Sequence, residues 1–246
     1  MKQTRFWLVI IAVLLCSIST SAYDFEVDGI YYDIISTENL TVKVTNGDNK
    51  YCGNVVIPST INYKSRTLTV ASIGKTAFGA CSRLTSITIP NSIVDIEEGA
   101  FGACSRLTSI TIPNSITNID DNAFEGCISL KELYIEDGTD KLCLGLGTKE
   151  MFYDGTFVYY IYRGLFHDCP LETLYLGRDI EYDYFSNLFN SCQSPFYENK
   201  TLTKVTISDS VTNIGPKAFS GCSGLTSITI PNSITNIDDN AFDGCI

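Results

Sequence analysis

Apolar and polar residues alternate along this chain in short stretches that return at a fixed interval. The string LTSITIPNSIT stands unchanged at 107–117 and at 225–235, and altered copies of it fill much of the sequence between them. The alternation within LTSITI predicts a β-strand with one buried face. The proline that follows has no N–H to donate to a sheet and therefore ends the strand.

Phenylalanines give the length of the interval. Phe78, Phe101 and Phe124 are each 23 residues apart, and so are Phe219 and Phe242. A unit of about 20 to 29 residues cannot bury its own apolar face and must stack on its neighbours, as in a leucine-rich-repeat solenoid. We therefore predict about seven coils, with a parallel β-sheet on the concave face and little regular helix. The predicted strand segments are 55–57, 86–89, 109–112, 132–135, 173–176, 204–207 and 227–230.

Each coil is predicted to bury side chains from three places. Alternate strand residues such as Ile87 and Ile89 point inward, and the residues between them face solvent. Ile93 and Ile96, with their equivalents in other coils, form a second wall, and Phe101 with its counterparts fills the centre. Any binding function is therefore expected on the outer surface of the stack.

The first residues of the chain carry a targeting pattern. Lys2 and Arg5 precede an apolar run of 13 residues and then a short series of small residues ending at Ala22. This order predicts a signal peptide over 1–22 and hence a secreted or cell-surface protein. The run is shorter than the ~20 apolar residues of a membrane span, so we predict no transmembrane span in the mature chain.

The next residues do not follow the repeat. Strand-like alternation at 30–35 and at 40–44 predicts an amino-terminal β cap over 23–51, with the solenoid following over 52–246. A cap is expected there because an uncovered end coil would expose a strand edge. The opposite end of the sequence has no such segment, and association through this carboxy-terminal coil is a further expectation.

Three insertions interrupt the period, near 60–70, 137–163 and 193–200. The middle one is rich in aromatic residues: Phe152, Tyr153, Phe157, Tyr159, Tyr160 and Tyr162. Two interpretations stay open. The rings form either a small satellite core that fixes the loop to the solenoid or an aromatic recognition surface.

Cysteines also keep the period. Seven of them stand three residues after a phenylalanine: Cys81, Cys104, Cys127, Cys169, Cys192, Cys222 and Cys245. Side chains at one phase of a stack point the same way, which opposes disulfide formation, so we expect a buried column of free thiols. His167 is the only histidine and no C-x-x-C pair occurs, so neither a metal site nor a cofactor is predicted.

The charge of the chain limits its partners. Without Lys2 and Arg5, 15 basic residues face 28 acidic ones, which gives the exported form a net charge of −13. Nucleic acids and anionic membrane surfaces attract Lys and Arg, so neither is a predicted partner.

Acid pairs such as Asp120 with Asp121, and Asp238 with Asp239, invite comparison with catalytic carboxylates. Catalysis needs environments that separate the pKa values of the two groups, and identical repeats supply identical environments. We therefore predict no enzyme activity. The remaining enzyme alternative is a polysaccharide-processing parallel β-helix.

The complete unit at 107–127 reads LTSITIPNSITNIDDNAFEGC. It resembles the BspA-like, Treponema-type leucine-rich repeat of surface and secreted proteins from Bacteroides-group anaerobes and some mucosal parasites, and the resemblance covers about residues 52–246. It implies an adhesion or interaction module that binds a protein or glycan ligand outside the cell. It implies no catalytic residues.

Outward strand positions differ mainly in the middle coils. The outer coils carry Ser and Thr there, whereas the middle coils carry Glu132, Tyr134, Tyr175 and Lys204. Tyrosine is enriched among interface hot spots, because it offers a large rigid ring with a hydrogen-bonding tip. We hypothesise that Tyr134 and Tyr175, assisted by Glu132 and Lys204, form the centre of a protein or glycan contact. Two residues of the middle insertion are expected to border this area: Tyr159 and Tyr160. The alternative, that the two tyrosines only cover an irregular stretch of core, stays open.

Overall fold

The computed structural model describes residues 23–184 and 190–245, so the predicted signal peptide at 1–22 lies outside the described residues. Short β-strands joined by turns make up the described chain, which contains no helix long and apolar enough to cross a membrane. In chain order the strands are β1 (Phe25–Val27), β2 (Ile30–Ser36), β3 (Thr41–Thr45), β4 (Cys52–Val56), β5 (Thr60–Tyr63), β6 (Arg66–Ile73), β7 (Arg83–Thr88), β8 (Asp95–Ile96), β9 (Ser109–Ile112), β10 (Asn118–Ile119), β11 (Glu132–Ile135), β12 (Leu142–Leu144), β13 (Leu146–Tyr153), β14 (Val158–Gly164), β15 (Thr173–Leu176), β16 (Ile180–Tyr182), β17 (Asn190–Cys192), β18 (Lys204–Ile207), β19 (Asn213–Ile214) and β20 (Asn236–Ile237).

One wall of the solenoid consists of parallel strands from successive coils. Strands β9, β11, β15 and β18 form a four-stranded parallel sheet, and β4 pairs in parallel with β7 in the preceding coils. Within the four-stranded sheet neighbouring strands pair without a shift, so Thr111, Tyr134, Tyr175 and Thr206 stand in one row. The prediction of a leucine-rich-repeat solenoid with parallel sheets is confirmed. The strand predicted at 227–230 is not formed, because no following coil pairs with this segment in the described residues.

The second wall is a sheet that begins in the amino-terminal segment. Strands β1, β2 and β3 are antiparallel, and β3 then pairs in parallel with β6. Strands β8, β10, β12 and β16 extend the sheet in parallel, one from each coil, and β19 pairs with β20 in the same way further along. The amino-terminal strands therefore share a sheet with the coils that follow them.

A column of stacked phenylalanines runs through the centre of the coils. Neighbouring ring centroids are 5.1 to 5.8 Å apart. At the amino-terminal end the Tyr51 ring closes the column, 4.7 Å from the Phe78 ring. All but the last phenylalanine are completely or almost completely buried. The column consists of Phe78, Phe101, Phe124, Phe166, Phe196, Phe219 and Phe242.

The prediction of an insertion at 193–200 is wrong. Phe196 stacks between Phe166 and Phe219 and lies 23 residues before Phe219, so it belongs to a regular coil turn. The extra residues of this coil precede Phe196, in the segment that contains β17. The prediction placed them after Cys192 because Cys192, three residues after a phenylalanine, matches the end of the repeat unit.

Cys192 is buried, but it lies in β17, which pairs with β14, and so it is not part of the thiol column. Asn199 takes the column position instead, three residues after Phe196. Its Nδ2 donates a hydrogen bond to the Cys169 carbonyl oxygen at 2.8 Å. A carboxamide can therefore replace the thiol at this position because it also finds a backbone acceptor in the preceding coil.

The other six periodic cysteines form the expected column, and no disulfide joins the cysteines of the described residues. Cys104, Cys127, Cys222 and Cys245 each donate their Sγ–H to the carbonyl oxygen of the phenylalanine one coil earlier, at 3.2 Å. Burial raises the pKa of Cys127 and of Cys222 to about 12. These thiols therefore stay protonated and act as small apolar groups with one weak hydrogen bond.

The first two insertions take regular forms. The residues near 60–70 fold as an antiparallel hairpin of β5 and β6, and the end of β6 joins the second wall. The stretch predicted as an insertion at 137–163 contains β12, which pairs with β10 and β16 as an ordinary second-wall strand. The inserted residues proper follow β12 and form an antiparallel hairpin of β13 and β14.

A residue with a left-handed backbone stands two positions after six of the seven column phenylalanines, the exception being Phe166. The residue two positions after the phenylalanine has φ of 57° at Ala80 and 58° at Ala103, and the equivalent position is glycine in three other coils: Gly126, Gly221 and Gly244. Backbone hydrogen bonds such as Ala103 N–H to Glu125 O, at 2.6 Å, link these turns from coil to coil. The turns therefore stack as tightly as the strands do.

We predict that Phe101→Ala lowers the free energy of unfolding by about 3 to 5 kcal/mol, because it removes a fully buried ring between two others. Chemical denaturation measures the change. The matched control Thr111→Ala, at an exposed outward position, should leave the midpoint nearly unchanged, and equal effects would contradict the coil assignment.

We predict that Ala103→Gly raises the free energy of unfolding by about 0.5 to 1 kcal/mol, since an L-residue is strained in the left-handed region and glycine is not. The control is Ala100→Gly, which makes the same change at a fully buried position without a positive φ and should lower stability. Thermal melting of both variants distinguishes them, and a loss of stability in Ala103→Gly would count against the turn geometry.

We predict that a thiol reagent labels Cys52 and Cys143 in the native protein, because both are exposed, and labels the buried column cysteines, which are all of the column except the partly exposed Cys245, only after unfolding. Mass spectrometry of the labelled peptides locates the reacted residues. In a folded Cys52→Ser/Cys143→Ser variant, the remaining buried cysteines should be labelled only slowly. Rapid labelling of Cys104 or Cys127 in the folded protein would show that the column is not buried.

Candidate binding surface

The outward residues of the first wall form a shallow groove of about 410 Å³ across the middle coils. Inward-facing residues of the same strands, such as Leu133 and Leu174, are buried, and this fixes which side chains point outward. The groove brings together four of the residues selected from the sequence: Glu132, Tyr134, Tyr175 and Lys204. We call these four, with Ser109, Thr111, Thr173 and Thr206, the tyrosine strip.

Tyr134 and Tyr175 form a stacked pair. Their ring centroids are 4.3 Å apart and their planes differ by 9°. The two residues are register partners on neighbouring strands, which lie about 4.8 Å apart in a sheet, so the backbone itself sets the ring separation. Tyr134 remains 42% exposed, and the pair forms a ridge between the shorter side chains of Thr111 and Thr206.

Asp137 holds the Tyr175 end of the ridge. It is not among the site residues predicted from the sequence. The Tyr175 hydroxyl donates to the Asp137 carboxylate, at 3.0 Å from Oδ1 and 3.2 Å from Oδ2. A hydrogen bond with Ser208 lowers the pKa of Tyr175, but desolvation and the Asp137 carboxylate outweigh it, so the pKa lies above its ordinary value. The hydroxyl therefore stays protonated as the donor.

Asp137 belongs to a loop that is longer than in the other coils. The loop runs from the last inward residue of the first wall to the first buried residue of the second wall. Leu142 follows Ile135 by seven positions, whereas in the preceding coil Ile116 follows Ile112 by four. The loop is anchored by Glu136, whose Oε2 accepts a hydrogen bond from Asn114 N at 3.1 Å.

Arg178 fills the space beneath this loop and is fully buried. Its guanidinium donates to the Asn114 carbonyl oxygen at 2.9 Å and to the Pro113 carbonyl oxygen at 3.0 Å, thus bridging two coils that are not adjacent. Desolvation lowers its pKa, while Asp140 and Glu136 oppose this effect. Arg178 was not predicted from the sequence. The feature that could have indicated it is the string LGRD at 176–179, which stands where other coils have I-P-N-S.

Glu132 and Lys204 flank the tyrosine row. Both are exposed, and Thr173 stands between them in the sheet register, which separates their backbones by about 10 Å. Within residues 23–184 and 190–245, neither side chain forms an ion pair or hydrogen bond. Both charges are therefore available to a partner.

Tyr159 and Tyr160 lie outside the tyrosine strip, contrary to the expectation that they border it. They belong to β14 of the inserted hairpin, in a separate sheet that also includes β13 and β17. The hairpin follows the second-wall strand β12 rather than the strand that carries Tyr134, and this connection directs it away from the row.

The rings of this hairpin do not form a buried satellite core. Tyr153 is 68% exposed and Phe157 is 55% exposed, and the remaining rings of the set are half-buried. Phe152 stacks on Tyr159 at 5.5 Å, and the Lys149 Nζ lies 4.0 Å from the Tyr160 ring centroid. The hairpin is thus ordered by pairwise contacts across its strands.

The acid pairs have structural roles in the turns. Asp120 Oδ1 accepts a hydrogen bond from Asn118 at 2.6 Å, and Asp121 Oδ1 accepts one from Leu146 N at 2.7 Å. No group of three or more His, Cys, Asp or Glu side chains among the described residues is arranged to hold a metal ion.

Solved structures that are similar to the chain include two bacterial leucine-rich repeat proteins. A leucine-rich repeat protein from Bacteroides ovatus shares 28% identity over 90% of this chain and 51% of its own, with a TM-score of 0.62. The Treponema pallidum leucine-rich repeat protein shares 20% identity over 88% of this chain and 81% of its own, with a TM-score of 0.55. The chain spans about half the length of the Bacteroides ovatus protein.

No curated protein matches the chain. The sequence profile of the BspA type leucine-rich repeat region matches it in six copies, over residues 58–153 and 190–246. This match covers more than half of the sequence and agrees with the coils, the phenylalanine column and the two parallel walls described above. The chain belongs to the BspA type leucine-rich repeat family.

Proposed function

We propose that the chain is a non-catalytic binding module that is exported from the cell and holds a protein partner on the tyrosine strip. The observation that carries this proposal is the ordered Tyr134–Tyr175 pair, flanked by Glu132 and Lys204 on a wall whose other outward residues here are Ser and Thr. A rigid, half-exposed aromatic ridge gives a partner a large contact area at low cost in side-chain entropy.

The order of the ridge supports binding more strongly than the presence of two tyrosines does. Stacking fixes Tyr134 against Tyr175, and Asp137 fixes the Tyr175 hydroxyl. Glu136 in turn ties the loop that carries Asp137 to Asn114, and Arg178 fixes Asn114 through its carbonyl oxygen. Preorganisation of this kind reduces the entropy that association would otherwise lose.

Export is supported by the signal-peptide pattern at 1–22. Family membership is compatible with a role at the cell surface. A glycan is the second candidate ligand, because sugar rings also stack on exposed aromatic faces and the hydroxyls of Ser109, Thr111 and Thr173 could hydrogen-bond to it.

We predict that Tyr134→Ala/Tyr175→Ala lowers the affinity for the partner by about tenfold or more, because it removes the central aromatic contact. The partner is first identified by screening the purified protein against matrix proteins, mucins and glycans. Surface plasmon resonance then measures the affinity, and circular dichroism establishes that the variant is folded.

The matched control is Thr88→Ala/Thr229→Ala, which alters exposed outward residues of the outer coils and should bind as the unaltered protein does. Unchanged affinity in the folded tyrosine variant would place the site elsewhere. Reduced affinity in Tyr153→Ala/Phe157→Ala would then locate it on the inserted hairpin.

A further inference from the structure

The Tyr134 ring has one covered face and one open face. Tyr175 covers the first face at a centroid distance of 4.3 Å. On the other side the register partner is Thr111, preceded on the same strand by the outward residue Ser109. These short side chains do not reach the height of a tyrosine ring. Ser109 and Thr111 therefore form a lower surface beside the open face of Tyr134, which we call the ledge.

Glu132 stands at this ledge. It precedes Tyr134 by two residues on β11, so both side chains leave the same face of the sheet, about 7 Å apart along the strand. The Glu132 carboxylate is exposed and has no hydrogen bond or ion pair with any residue that the structure describes. An aromatic face and an unpaired carboxylate are therefore presented together.

The charged residues near the ledge are of both signs, and they include exposed Arg106 three residues before Ser109 and Arg178, which interacts with Glu136. Two further carboxylates of the same coil, Glu136 and Asp137, follow β11, and both accept hydrogen bonds from neutral donors. Lys131 precedes Glu132, but its Nζ lies 2.6 Å from a Glu172 carboxylate oxygen and is thereby partly neutralised. Lys204 is two strands away from Glu132.

A guanidinium group fits these features best. It is planar and can stack on the electron-rich face of Tyr134, and its paired N–H donors match a carboxylate. An ammonium group would keep the charge interaction but lose the planar stacking. A neutral sugar would remove water from Glu132 without giving it a counter-charge, which is unfavourable.

We infer that Tyr134 and Glu132 form a subsite for an arginine side chain of a basic protein partner. This inference rests on the proposed function, because it names the chemistry that the tyrosine strip recognises. The guanidinium lies above Thr111 and Ser109, stacked on the open face of Tyr134, with its N–H groups directed to the Glu132 carboxylate.

Nuclear magnetic resonance of the purified protein with ring-¹³C-labelled tyrosine tests the inference. The probe is a terminally blocked tetra-arginine peptide at low ionic strength, and the comparators are tetra-lysine, tetra-glutamate and maltotetraose. The Tyr134 signal is assigned from its loss in Tyr134→Phe. The arginine peptide should shift this signal in a saturable manner and bind more tightly than the lysine peptide.

Glu132→Gln, followed by the Tyr134 signal, and Tyr134→Ala, followed by the signal of the neighbouring Tyr175 ring, should each weaken arginine-peptide binding by about fivefold. The control is Glu181→Gln in a second acidic groove, of about 520 Å³, on the opposite wall, where Glu181 lies with Asp120, Asp121 and Asp183. This control variant should leave the Tyr134 shift and its concentration dependence unchanged.

Three results would overturn the inference. If the arginine peptide leaves the Tyr134 signal unshifted, it binds elsewhere on the protein. The same conclusion follows if its affinity falls in Glu181→Gln and not in Glu132→Gln. Equal effects of the arginine and lysine peptides would show that only charge matters. A Tyr134 shift caused by maltotetraose or tetra-glutamate alone would refute the arginine subsite but leave the tyrosine strip as a binding surface. The strip itself is tested separately by the tyrosine double variant and the screened partner.

Discussion

The phenylalanine column is the constraint on which the remaining structure depends. The rings stack at 5.1 to 5.8 Å and are 23 residues apart in four of the six steps, and this fixes the length of the regular coil and the distance between coils. The backbone around each ring then bonds to the next coil, as Phe101 N–H does to the Ala123 carbonyl oxygen at 2.8 Å. Insertions are accommodated only where they leave this spacing intact, as the hairpin of β13 and β14 does between Phe124 and Phe166.

The same spacing produces the candidate site. Because the coils stack in register, residues at one phase of successive coils form straight rows across the first wall. Two tyrosines in such a row must meet face to face, and two short residues beside them must leave the outer ring faces open. A binding ridge thus arises from two substitutions in a uniform hydroxyl row, without any change in the backbone of the strands.

Much of this arrangement could be predicted from the sequence, since period, strand positions and the inward or outward direction of side chains all follow from the repeat. The Tyr134–Tyr175 row and the buried thiols were found in this way. The phase of the fifth coil was not, because L-F-N-S-C at 188–192 matches the repeat in its letters, whereas P-F-Y-E-N at 195–199 lacks the cysteine. Only the ring stack and the Asn199 hydrogen bond distinguish the two. Asp137 and Arg178 were missed for a related reason. Their roles depend on contacts between non-adjacent stretches, which a 23-residue period does not encode.

The most direct test of the account is tyrosine footprinting by mass spectrometry, with and without the bound partner. It compares the modification rate of Tyr134, on the ridge, with that of Tyr153, on the inserted hairpin, in the same sample. Both side chains are exposed in the free protein, at 42% and 68%. The account predicts that the partner slows modification of Tyr134 and leaves Tyr153 unchanged. Protection of Tyr153 without protection of Tyr134 would contradict it.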